Sequence, residues 1–267
     1  MDNFRVCVMT GTSSGIGYEC AGIFRDNGYR VYGLSRSGSG PDGVVNIRCD
    51  VTDEMSLAGI FDKIYVTEGR IDVVIANAGS GISGAVEFTE AAEAKKQFDV
   101  NFFGVFNTLK CAAPYLKRSH GRFAAVSSAA AVFPIPFQAF YSSSKAAVNS
   151  LVRAAANELR PFGVSAGYIM PGDVKTSFTD KRRKSGTGDD VYGGMISGSV
   201  AVMEHDERNG MPAHKVASVI YRTVTKRKMP KKTTVGVRYK LLDLLSRLLP
   251  VGLQDRIIGK LYIKKLR

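Results

Sequence analysis

The chain has 267 residues, 45% of them hydrophobic, which is enough to bury a full core, excludes a disordered chain and falls within the size at which α/β chains often stay one domain. Cys7, Cys20, Cys49 and Cys111 are scattered without a C-x-x-C pair, and His120, His205 and His214 show no ligand spacing. This argues against a disulfide framework or a structural metal and suits a reducing, cytoplasmic setting. The net charge of +13 resembles a nucleic-acid signal, but residues 226–267 hold 13 Lys/Arg against Asp243 and Asp255, a net of +11, leaving +2 for residues 1–225. The basicity belongs to the tail, no nucleic-acid module accompanies it, and nucleic-acid binding is disfavoured.

In chain order, "MDNFRVCVMTG" reads as a first strand rather than a signal peptide. No stretch reaches the ~18 uninterrupted apolar residues of a membrane-spanning helix. Runs at 5–11, 30–36, 44–50, 71–79, 122–128 and 164–172 are apolar on both faces and end in polar or Gly-rich corners, as strands of a helix-covered parallel sheet must be. Helical patterns fill the gaps: 15–28 ending at Gly28, 56–69 ending at Gly69, and 144–163 closed by Pro161 and Gly163. The alternation predicts an α/β fold with a doubly wound, Rossmann-like parallel sheet, whose ligands bind beyond the carboxyl ends of the strands. Residues 176–200 are polar and Gly-rich and read as a mobile loop with at most short helices, either a lid over the site or a plain surface insertion. We divide the chain into a dinucleotide-binding and catalytic domain, 1–236, and a basic amphipathic extension, 237–267.

"TGTSSGIG" (10–17) joins the first strand to the first helix with glycines at 11, 15 and 17. Glycines there allow a tight turn and let backbone N–H groups approach a pyrophosphate at a helix N-terminus. The lysine-bearing phosphate loop of nucleotide triphosphatases is absent. At the end of the second strand, where an acidic residue would select NAD, stand Ser35 and Arg36, a pairing that favours the 2′-phosphate of NADP(H). A merely solvated arginine is the other reading.

In "YSSSK" (141–145) a phenol stands four residues before an amine, a spacing that by itself is common on solvated helix faces. Its company gives it meaning. With "TGTSSGIG", Asp50-Val51 after the third strand, "NAG" at 77–79, Asn101, Ser128 thirteen residues before Tyr141, and "PGDVKT" at 171–176, all in order, the chain over residues 4–176 resembles the short-chain dehydrogenase/reductase family. The resemblance implies that Tyr141 donates a proton in reduction and accepts it in oxidation, and that Lys145 also holds the nicotinamide ribose. A free tyrosine ionises near pH ~10, and an adjacent ammonium together with an oxidised nicotinamide would favour the phenolate. Ser128 can donate a hydrogen bond to the substrate oxygen as negative charge gathers there. Ser127 is its rival, and since side chains alternate along a strand, the thirteen-residue spacing selects Ser128. By resemblance Asn101 holds a relay water, although it could instead cap or kink its helix. The cofactor would rest on Gly11, Ser13, Ser14, Gly15, Ile16 and Gly17, with Arg36 at the ribose phosphate and Asp50 and Val51 bordering adenine. Asn77, Ala78 and Gly79 would line the cleft, and Pro171, Gly172, Val174 and Thr176 would lie along the nicotinamide. No metal is called for.

In the tail, Leu241, Leu244, Leu245 and Leu248, then Ile257, Ile258 and Leu261, recur at helical spacing, with Lys/Arg on the other faces and Pro250 and Gly252 between the segments. A basic amphipathic pair reads as a membrane-surface element or as a cover packed on its own domain. The family's use of this region to complete the substrate pocket makes packing the default. These features lead to an NADP(H)-dependent oxidoreductase that interconverts a secondary alcohol and a ketone on a steroid-, retinoid- or lipid-like substrate and forms a homodimer or homotetramer, with peripheral membrane contact through the tail as the alternative to its packing on the domain. A reductase of small polar or acyl-linked carbonyls and a non-catalytic cofactor sensor are the alternatives.

Overall fold

The six apolar runs fold as parallel strands in a computed structural model that describes residues 4–263; the expectations for residues 1–3 and 264–267 lie outside the described residues. The strands are β1 (Arg5–Thr10), β2 (Tyr29–Ser35), β3 (Val45–Arg48), β4 (Val73–Ala76), β5 (Arg122–Val126) and β6 (Ser165–Pro171), joined at one edge by β7 (Lys232–Val235). Every pairing in this sheet is parallel, and the spatial order is β7-β6-β5-β4-β1-β2-β3. The order reverses between β1 and β4, so the crevice beyond Thr10 and Ala76 is the place where this topology binds ligands.

The sheet is buried on both faces. Along β1, Val6 and Val8 join one core with Leu57, Phe61, Leu116, Phe123 and Val148, while Cys7 and Met9 join the other with Phe24, Val31, Ile169, Val216 and Ile220. Strict alternation of two apolar sets explains why the run has no polar face. The first core lies under α2 (Glu54–Glu68), α4 (Gly104–Ser119) and α5 (Ala139–Glu158), the last two following α3 (Ala91–Phe98) in the chain. The second lies under α1 (Gly15–Asp26) and α7 (Ala213–Thr225).

Three expectations need correction. Helix α5 begins five residues earlier than expected, because Ser142 and Ser144 do not break it: Ser144 Oγ donates to the Tyr141 carbonyl at 2.7 Å and Ser142 Oγ accepts from Ile135 N–H at 3.3 Å. Residues 176–200 do not form a loop with only short helices. A four-residue turn of helix, Phe178–Lys181, is followed after turns by the 14-residue α6 (Met195–Arg208), whose Ile196, Ser199, Val200 and Met203 make a buried stripe at helical spacing. The tail forms α8 (Val237–Leu245) and α9 (Val251–Tyr262); Pro250 separates them, but Gly252 lies inside α9 rather than between the two.

Candidate active site

The glycine corner is a cradle in which side chains have no room. Gly11 (φ 76°) and Gly15 (φ 60°) occupy the left-handed region, and a Cβ on Gly17 would strike the Gly11 carbonyl oxygen. Asn77, from the end of β4, fixes the corner across the sheet: its N–H donates to Thr10 Oγ1 at 3.0 Å and its Nδ2 to the Thr10 and Gly11 carbonyls, both at 3.1 Å. Ser14, in extended backbone, precedes α1 without capping it by its side chain, and the first turn carries no acidic residue. The positive end of α1 and its first N–H groups are thus left for an anion, and Lys181 Nζ reaches Ser14 Oγ at 3.3 Å. These features fit a pyrophosphate.

Farther along the crevice, Ser35 is buried and its Oγ donates to the Ser39 carbonyl at 2.9 Å, while Arg36 is exposed and makes no ion pair among the described residues. Asp50 accepts from Thr52 N–H and Oγ1 at 3.0 and 2.8 Å, which fixes the turn that exposes its carboxylate. Val51 beside it is buried, its carbonyl held by Asn107 Nδ2 at 3.0 Å.

At the other end, β5 delivers two serines that face opposite ways. Both line the cavity, but Ser127 is buried and its Oγ donates to the Lys145 carbonyl at 3.2 Å, whereas Ser128 is half-buried and its Oγ accepts from Ala130 N–H at 3.1 Å. Helix α5 places Tyr141 and Lys145 one turn apart, with the amine 5.9 Å from the centre of the phenol ring. Lys145 is 4% exposed and Nζ donates to the Val126 carbonyl at 3.0 Å. Asn101 sits in a wide turn between α3 and α4, closed by Gly104 N–H to the Asp99 carbonyl, where its side chain spans Ser80 and Ser144. It does not reach the cavity wall, but its Oδ1 and Lys145 Nζ both converge on Gly79.

A family model described as short chain dehydrogenase matches residues 5–186. The chain belongs to the short-chain dehydrogenase family. Among its relatives, a 3-ketodihydrosphingosine reductase of Bacteroides thetaiotaomicron is 37% identical over 248 residues, covering 91% of this chain and 92% of the relative. An NADPH-dependent 1-acyldihydroxyacetone phosphate reductase of Saccharomyces cerevisiae is 31% identical over 190 residues, covering 67% of this chain and 64% of that one. A solved short-chain dehydrogenase from Streptomyces avermitilis has the same fold, with a TM-score of 0.80 at 23% identity over 98% of this chain and 96% of the other. Membership makes the protein an oxidoreductase with a nicotinamide cofactor.

The expected site residues of this short-chain dehydrogenase, Gly17 and Asn101 excepted, line one cavity of about 990 Å³. The electrostatics differ from expectation. Burial pushes the Tyr141 phenol up rather than down; Ser128 and Arg182 oppose that rise, and Glu207 and Asp173 add to it. The expected acidifying ammonium is itself weakened, because burial lowers Lys145 to about 8.

Several residues of the site were not foreseen. The Phe178 ring lies 5.8 Å from that of Tyr141, and the Arg182 guanidinium, ion-paired to Glu207, lies 5.5 Å from the centre of the Phe178 ring. This segment is tied down by short parallel pairings of Ile82–Ser83 with Arg183–Lys184 and of Val174–Lys175 with Met211–Pro212. Tyr239 of α8 lies over Gly172, where a Cβ would run into its ring, and its hydroxyl donates to Asp173. Leu242, Ile258, Leu261 and Tyr262 from α8 and α9 complete the wall, so the tail does cover the cavity. The i,i+4 pair Phe178 and Arg182 and the buried stripe of α6 were the available signals.

Proposed function

We propose that the protein is an NADP(H)-dependent oxidoreductase that interconverts a secondary alcohol and a ketone on a lipophilic substrate. The observation that carries this reading is one cavity with two chemistries: it is lined both by Ser128, Tyr141 and Lys145 and by Leu242, Ile258 and Leu261 from the tail. A nicotinamide, when bound, supplies or accepts the hydride. Tyr141 holds the proton that balances that transfer, giving it to the carbonyl oxygen in reduction and taking it back in oxidation. Ser128 stabilises negative charge on the same oxygen. Lys145 orders the ribose, and Asn101 keeps Ser80 and Ser144 in place behind it.

Support for NADP(H) comes from Arg36 at the end of β2, which has no competing carboxylate, and from the uncapped α1 N-terminus with Lys181 beside it. Asp50 and Val51 border the adenine, and Gly172, Val174 and Thr176 the nicotinamide. The relatives that reduce 3-ketodihydrosphingosine and 1-acyldihydroxyacetone phosphate favour a long-chain carbonyl compound. Residues 1–236 act as the catalytic domain and 237–267 as its extension. A homo-oligomer held at a membrane surface in the reducing cytoplasm agrees with four free cysteines and a basic tail. Among the described residues no helix is long and apolar enough to cross a membrane.

The test is reduction of a long-chain aliphatic ketone followed by NADPH absorbance. Tyr141→Phe should lower kcat by at least about a thousandfold while NADPH affinity stays within about threefold. Residual turnover near the unmodified rate would show that the proton comes from elsewhere.

A further inference from the structure

The outer faces of α8 and α9 are apolar and basic, opposite the faces that line the cavity. On α8, Val237, Leu241, Leu244 and, just beyond its end, Leu248 share one arc and are 86%, 57%, 55% and 72% exposed. Lys240 and Arg247 stand on the same arc, one turn before and after Leu244, and both are exposed. On α9, Leu253 and Ile257 (44% and 38% exposed) share an arc with exposed Arg256 and Lys260, across the helix from buried Ile258. Acidic balance is low: Asp243 is buried against Lys232 and Thr234, with Arg247 Nη2 3.9 Å from its Oδ2 at the edge of the arc, and Asp255 is the other carboxylate among the described residues of the two helices, while Lys240, Arg256 and Lys260 make no ion pair among the described residues.

We propose that this face docks on a bilayer surface bearing anionic lipid, and that the substrate passes between that bilayer and the cavity through the mouth framed by α8 and α9. Leucines flanked by lysine and arginine on one helix face place acyl-chain contacts beside headgroup contacts, the arrangement by which amphipathic helices lie in an interface. A second copy of the chain suits the face poorly, because a twofold pairing would set each basic arc against its own image. Leu261 gives the route: it lines the cavity and is also 39% exposed, so it stands at the rim between the two environments. The passage of substrate rests on the function proposed above; docking does not.

The experiment is cosedimentation of the full chain with vesicles of phosphatidylcholine alone or mixed with phosphatidylglycerol. Reduction of a long-chain ketone carried in the vesicles is measured beside that of a short-chain ketone in solution. Two double variants are compared, Leu244→Glu with Leu248→Glu, and Lys240→Glu with Lys260→Glu. The unmodified protein should partition about tenfold more strongly onto the anionic vesicles, and each double variant should lose about tenfold of that binding. Turnover of the vesicle-borne ketone should fall in parallel while the soluble ketone is reduced at the unmodified rate. Failure of the unmodified protein to bind vesicles, equal binding by the variants, or a shift of the leucine variant to a smaller assembly on gel filtration would overturn docking. Vesicle binding as expected with neither ketone reduced would uphold docking and overturn the substrate route together with the proposed reaction.

Discussion

Replacing Lys145 with Met should make the cofactor-free protein more stable, although it removes an amine from the centre of the site. The buried amine is lowered from 10.5 to about 8, a gap of about 2.5 pH units, which at ~1.4 kcal/mol per unit puts the cost of keeping it charged at about 3 to 4 kcal/mol at pH 7. Loss of the Nζ bond to the Val126 carbonyl, 3.0 Å long, gives back about 1 kcal/mol, so a net gain of about 2 to 3 kcal/mol is expected below pH 8. The pH dependence identifies the cause. Below pH 8 both the folded and the unfolded unmodified chain hold the proton. From pH 8 upward the folded chain sheds it while the unfolded chain keeps it, so the unmodified protein gains about 1.4 kcal/mol per pH unit on the variant and draws level near pH ~10. Urea unfolding of both proteins at a series of pH values from 7 to 10 measures this directly. A variant less stable at pH 7, or two parallel stability profiles, would refute the reasoning.

Asn77→Ala removes two Nδ2 bonds to the Thr10 and Gly11 carbonyls and should cost about 2 kcal/mol in urea unfolding, together with weaker cofactor binding as the glycine corner loosens. Arg36→Ala should weaken NADPH binding by about tenfold or more while changing NADH binding less than about twofold, measured by fluorescence titration; equal losses for both would remove Arg36 from the 2′-phosphate. Ser128→Ala should lower kcat by about a hundredfold with KM nearly unchanged, and a loss confined to KM would show that the hydroxyl only binds substrate.

The sheet and the nucleotide half of the cavity were legible because their constraints are local in sequence. Two-sided burial forces apolar runs such as "RVCVMTG", and a corner that must accommodate the Gly11 oxygen against Gly17 tolerates no side chain, so glycine appears at fixed spacing. The Tyr141 to Lys145 spacing is a single helical turn and the alternation at Ser127 and Ser128 a single strand step, and the structure brings the expected pair to the cavity. What lay hidden depends on contacts distant in sequence. Strand β7 is a four-residue edge strand amid basic residues, recognisable only once β6 is beside it. The stripe of α6 is interrupted by polar residues and begins after a Gly-rich turn, so composition masked its period. Tyr239 packs on Gly172 across 67 positions of chain, a pairing with no local signature.

Those hidden segments set the electrostatics of the legible residues. Beyond desolvation and Ser128, the groups that move the Tyr141 phenol are Glu207, Arg182 and Asp173, all from residues that follow the end of β6. Arg182 and Glu207 are bound to each other, so the segment brings its cation and its carboxylate as a pair whose effects on the phenol oppose one another. Asp173 has no such cation within ion-pairing distance among the described residues; its carboxylate relies on the Tyr239 hydroxyl, and burial pushes its own pKa up. Displacing α8 would therefore remove the donor from Asp173 and admit water to the cavity at once, lowering the desolvation that dominates at both Tyr141 and Lys145. In the proposed reaction the Ser-Tyr-Lys arrangement would supply the proton-transfer groups, and the residues that follow β6 would then tune the phenol that burial already pushes up.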